Sequence, residues 1–146
     1  MSIREMPYRE KEAWLYLIAM VVAIGPYFAW VAFGDHAAAP LPDFRQLLMY
    51  GVAATAQMLI IGAGHLYLRL AYADDARAPA DERDHEIGRR SMSIAYYILI
   101  TGLITVGGFM PFYTGGWEMV NTAIGAIVLA EFLRNSLIVR SYREHA

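Results

Sequence analysis

Apolar positions along this chain come in long blocks, with neither a helical nor an alternating rhythm inside them. Ala13 to Phe33, Leu47 to Leu70, Ser93 to Phe112 and Met119 to Val139 are almost free of charge. A helix needs roughly 20 apolar residues to cross a hydrocarbon core about 30 Å thick, and each block is of that order. None alternates with the period of a barrel strand. Lipid offers no partner to open backbone groups, so each block predicts a helix. The expected fold is all-α: an integral membrane four-helix bundle, one domain over residues 1–146. The first block is longer than the apolar stretch of a signal peptide, about 7–15 residues, and Pro40 directly follows Ala37-Ala38-Ala39. It is therefore expected to stay as a helix, kinked at Pro26 beside Gly25. The link Asp35 to Asp43 reads as a short outer loop. Gly107-Gly108 ahead of Pro111 should loosen the outer end of the third span, and the short turn Tyr113–Gly116 makes spans three and four antiparallel neighbours.

Composition supports this pattern. The chain is 58% hydrophobic, above the 45–50% usual in soluble domains. Its mean hydropathy of +0.34 is held down by charge-dense segments between the blocks. A net charge of −2 leaves no basic footprint for nucleic acid. With no cysteine, disulfides, thiolate zinc sites and iron–sulfur clusters are excluded.

The basic residues predict the orientation. Arg4, Arg9 and Lys11 precede the first block; Arg69, Arg77, Arg83, Arg89 and Arg90 stand between the second and third; Arg134, Arg140 and Arg143 close the chain. Arg45 alone falls on the other side, so eleven of the twelve basic residues share one side. That side is expected to be the cytoplasm, with both termini inside. Trp14 and Tyr16 would mark the inner interface, and Tyr27, Trp30, Tyr113 and Trp117 the outer.

The stretch Asp81-Glu-Arg-Asp-His-Glu-Ile-Gly-Arg-Arg90 carries seven formal charges in ten residues. Pro79 suits a first helical turn, and Asp81, Glu82 and Asp84 suit the positive end of a helix dipole. Glu86 and Arg90 have the spacing of a surface pair. Arg89 and Arg90 fall at the headgroup level, where anionic lipid attracts them. These features predict a third helix that starts near Ala80 and extends into the cytoplasm. Its residues Asp81, Glu82, Arg83, Asp84, His85 and Glu86 form a candidate docking surface for a cytoplasmic protein. Glu82-x-x-His85 has the ligand spacing of di-iron bundles, but the second such motif is missing, so no metal is expected.

The run Asp81-Glu82-Arg83 with Ile87, followed by Ser91-Met-Ser-Ile-Ala-Tyr-Tyr97, resembles a family of small uncharacterised bacterial membrane proteins with four spans. They carry a D-E-R-x-x-x-I signature before the third span. Glu10-Lys-Glu-Ala-Trp14 and Gly25-Pro-Tyr-Phe28 are similar to segments of such proteins as well. The resemblance covers the layout of most of the chain and about thirty residues in detail. It transfers no catalytic residue. Some members lie beside small helix-turn-helix regulators, which implies a regulatory membrane partner.

Ionisable groups inside spans are costly and are functional candidates by default. His65 is expected about 9 Å from the inner end of the second span, and Glu131 about 12 Å from that of the fourth, at 1.5 Å per residue. Tyr16, Tyr96 and Tyr97 come from nearby levels, and Arg134 is one turn from Glu131. The six form a candidate intramembrane polar cluster. It could act as a proton-handling cavity, or as a packing network that joins the helices. Four-helix small multidrug transporters use one buried glutamate in this spirit, but theirs is in the first span. Only His65 of the four histidines is intramembrane, which argues against haem, and no cofactor is expected. Gln57 and Asn121 are read as interhelical hydrogen-bonding residues, and Ala126-x-x-x-Ala130 and Gly51-x-x-x-Thr55 as small pairs compatible with tight packing or a homodimer. No nucleophile elbow or phosphate-binding glycine loop is present, so no catalytic residue is assigned. The chain thus reads as a multi-pass inner-membrane protein of regulatory or partner-binding type, engaging a protein through residues 71–90. The alternatives are a small proton-coupled transporter using Glu131 and His65, and a structural subunit of a membrane complex.

Overall fold

A computed structural model describes residues 6–34 and 41–144. Arg4, His36, His145 and residues 35–40 of the link to Asp43 lie outside them. Among the described residues the secondary structure is helical, and four helices are long and apolar enough to cross a membrane.

The first span, Tyr8–Phe33, is continuous but not uniform. Helix α1 (Tyr8–Ala19) passes into a π turn (Met20–Ile24) and then into α2 (Gly25–Phe33). Pro26 causes the change. Its ring cannot donate a hydrogen bond and crowds the carbonyl four residues back. The backbone widens instead of breaking, and the Gly25 N–H reaches the Met20 carbonyl, five residues back. The kink expected at Gly25-Pro26 is thus taken up as a π turn.

The second span is α3 (Phe44–Ala71). Asp43 caps it, accepting from the backbone N–H of Arg45 at 2.9 Å and of Gln46 at 3.3 Å. A short helix that the hydrophobic pattern does not signal, α4 (Ala73–Arg77), follows and buries none of its residues. The third span begins with α5 (Glu82–Ile104), continues through a second π turn (Thr105–Phe109) and ends in a 3-10 turn (Met110–Phe112). This is the loosened end expected from Gly107-Gly108 and Pro111. Gly116, at φ 61°, ends the turn before the fourth span in a conformation that other residues resist. Helix α6 (Trp117–Arg143) is that span.

The four spans pack as a row. The most extensive contact is between α5 and α6, as the short turn requires; α6 packs next on α1, and α3 packs on the first span. The first and fourth spans are therefore central and the second and third flank them. At the crossing of α5 and α6, Gly102 lets the backbone come against the Ala126 methyl. One core joins Ala13, Leu17 and Met20 to Val139, and a second joins Ile24, Tyr27 and Val31 to Ala53.

Outside these cores the flanking helices are apolar and uncovered. Leu47, Leu48, Val52, Leu59 and Leu70 of α3 and Leu103 and Ile104 at the end of α5 are more than half exposed. Water would penalise so continuous a surface. Lipid tails are as apolar as leucine and carry no such penalty, so the layout fits a multi-pass membrane protein.

Candidate functional site

The arginine-rich end of the row holds a polar cavity of about 330 Å³, and every span contributes to its wall. Glu12 and Tyr16 come from α1, His65 from α3, Asp84 from α5, and Arg134 and Tyr142 from α6. A wider cavity of about 590 Å³ adjoins it, sharing Arg9, Glu12 and Asp84 and adding Tyr8, Arg69 and Asp75.

Helical spacing builds the floor. Arg9, Glu12 and Tyr16 follow one another at three and four residues, so α1 turns all three to one side. His65 stands opposite. Its Nδ1 lies 3.4 Å from Glu12 Oε1 and its Nε2 3.3 Å from the Tyr16 hydroxyl. The imidazole and phenol rings meet edge to face at 5.5 Å. An imidazole held between a carboxylate and a phenol can accept from Tyr16 when neutral and donate to both partners when protonated. It can therefore gain or lose a proton without giving up the Glu12 contact.

Asp84 closes the cavity on its far side. Arg9 Nε donates to Asp84 Oδ2 at 3.0 Å, and the Tyr142 hydroxyl donates to Oδ1. The same residue completes a capping box: the Asp84 N–H reaches Asp81 Oδ1 at 2.7 Å, and the Asp81 N–H reaches Asp84 Oδ2 at 3.3 Å. Asp84 lies two turns before the apolar run that begins at Ser93. Burial works against its charge, but the Tyr142 hydroxyl, the Asp81 backbone and Arg9 outweigh burial and hold its carboxyl below the usual range. Next to this, the two chain ends are stapled. Glu10 is fully buried and accepts from Arg143 Nε at 3.2 Å, Arg143 stacks over Trp14, and Lys11 lies 3.6 Å above the Tyr72 ring.

Of the polar cluster expected from the sequence, His65, Tyr16 and Arg134 line the cavity together. Glu131 pairs with Arg134 at 3.2 Å but does not line it, and its side chain is 46% exposed. Tyr96 and Tyr97 meet edge to face at 5.9 Å and are exposed on the outer side of α5. The partner of His65 is Glu12, which the sequence reading missed because Glu12 sits beside a charged tail. Its spacing of four from Tyr16 was the available signal.

The expected docking residues divide. Asp81 and Asp84 are taken up by the cap and by Arg9 and Tyr142. Arg83 lies over the Tyr142 ring at 5.5 Å. Glu86 pairs with Arg89 at 2.5 Å, not with Arg90. Glu82 and His85 are exposed on the opening turn of α5. Among the described residues no three histidine or acidic side chains converge as metal ligands.

Towards the opposite end of the row three polar side chains meet. Tyr27 donates to Asn121 Oδ1 at 2.5 Å, and Asn121 Nδ2 donates to Gln46 Oε1 at 3.2 Å. All three are buried, and they join the first, fourth and second spans. Asn121 is about 20 Å along α6 from Arg134, at 1.5 Å per residue. No family model, curated protein or solved structure matches the chain.

Proposed function

We propose that this chain is a multi-pass protein of a bacterial-type inner membrane, with both ends inside, that acts as a small proton-coupled carrier for a polar solute. The observation that carries the reading is the Glu12–His65–Tyr16 contact inside a cavity walled by all four spans. A proton site and a solute cavity in one place are what coupling needs. The cavity lies at the arginine-rich end, the cytoplasmic one by the distribution of positive charge. The buried Tyr27–Asn121–Gln46 network supports an inward-facing arrangement in which the outer path is shut. The proton partner of His65 is Glu12; Glu131 serves to hold Arg134.

Reconstitution into liposomes with a trapped pH dye tests this. Glu12→Gln and His65→Asn should each abolish proton uptake driven by an imposed potential, while Glu131→Gln should keep most of it. Equal loss in all three, or none in any, overturns the assignment.

One observation favours docking by residues 71–90 as a second reading. Helix α4 buries none of its residues, and Glu82 and His85 are exposed. Unchanged flux in the Glu12 and His65 variants, together with release of a co-purifying protein on reversal of Glu82 and Glu86 to lysine, would put this regulatory role in place of the carrier.

A further inference from the structure

The side of α6 turned away from the polar cavity carries two grooves that meet at one residue. Between α5 and α6 a groove of about 150 Å³ is lined by Arg90, Ser91, Ile94 and Leu137. Between α1 and α6 a groove of about 430 Å³ is walled by Trp14, Leu17 and Val139. Arg140 borders both, as does Glu144.

We infer that these grooves hold one anionic phospholipid, with its phosphate on Arg140 and Arg90 and one acyl chain in each groove. Three observations converge. The first is charge. Arg140 uses Nε for its 2.5 Å bond to Glu144, which leaves the terminal nitrogens of its guanidinium to face a phosphate. Arg143 is committed to Glu10, and Arg90 has no ion pair or hydrogen bond among the described residues. One positive charge is thus left uncompensated at the rim. The second is depth. Arg90 lies just before the apolar run of the third span and Arg140 just after that of the fourth, which is the headgroup level. The third is shape. Each groove runs from an arginine into aliphatic side chains, the order of a lipid from phosphate to tail.

The site is separate from the carrier cavity, on the opposite side of α6, and survives the failure of that reading. Phosphatidylglycerol and phosphatidylcholine, titrated onto delipidated protein and followed by native mass spectrometry, give the test. The wild type should retain phosphatidylglycerol in preference to phosphatidylcholine. Each of Arg90→Gln and Arg140→Gln should weaken retention about fivefold, as for one lost lipid contact. Leu137→Trp, which fills a groove and leaves the charges alone, should weaken it too. Arg89→Gln removes an arginine at the same level, already paired with Glu86, and should leave retention unchanged. Equal loss with Arg89→Gln would mean diffuse surface attraction and would overturn the site. So would displacement of the lipid by millimolar inorganic phosphate, because the acyl grooves would then contribute nothing.

Discussion

A methyl group placed on Gly102 would overlap the Ala126 Cβ, whereas one on Gly64 would meet only the end of the Leu15 side chain. The two glycines look alike in the sequence but differ in what must move. Ala126 has no rotamer to change, so the helices themselves would have to separate. Leu15 can turn. Gly102→Ala should therefore destabilise the fold by about 1–3 kcal/mol, the usual range for overpacking. Gly64→Ala should cost clearly less. Unfolding in mixed micelles, followed by tryptophan fluorescence, compares the two, and equal effects would mean that α5 and α6 are not in such close contact. Residue chemistry was legible for His65, Tyr16 and Asn121, because a polar group in an apolar block needs a partner. It was not legible for Glu12. A carboxylate next to Lys11 and one turn from Arg9 reads as solvated until α3 is placed beside it.

Among the elements, the apolar blocks announced all four spans, and the helices extend beyond them into charged turns at the arginine-rich end. The order of the helices was not legible. In lipid, faces that meet protein and faces that meet tails are equally apolar, so hydropathy does not reveal which spans are central. The small pair Ala126-x-x-x-Ala130 marked a real contact face, whereas Gly51 and Thr55 lie on the uncovered side of α3. Polar ties decide more. Asn121 joins three spans through Tyr27 and Gln46, and Asn121→Leu would remove the acceptor of the buried Tyr27 hydroxyl. A buried polar group that loses its partner costs about 1–3 kcal/mol. The substitution should lower the unfolding midpoint in micelles and make Tyr50→Cys, which packs beside Tyr27, more reactive to maleimide. An unchanged midpoint would show that the network does not hold these spans.

For the whole molecule, the proposed orientation rests on the distribution of arginine. The chain lacks cysteine, so single cysteines report topology without background. In intact cells a membrane-impermeant maleimide should label Tyr113→Cys but not Glu86→Cys, and lysis should expose both; the reverse pattern would invert the molecule and the carrier reading with it. The two ends of this row are also kept in phase by very little. The π turn at Met20–Ile24 fits one amino acid more into its turn than regular α geometry would. Were that surplus residue deleted, everything beyond it would swivel by about 100°, one residue's share of a turn. Tyr16 would still face His65, but Tyr27 would swing away from Asn121. One extra residue of backbone thus aligns the Glu12–His65 contact at one end with the Tyr27–Asn121 bond at the other.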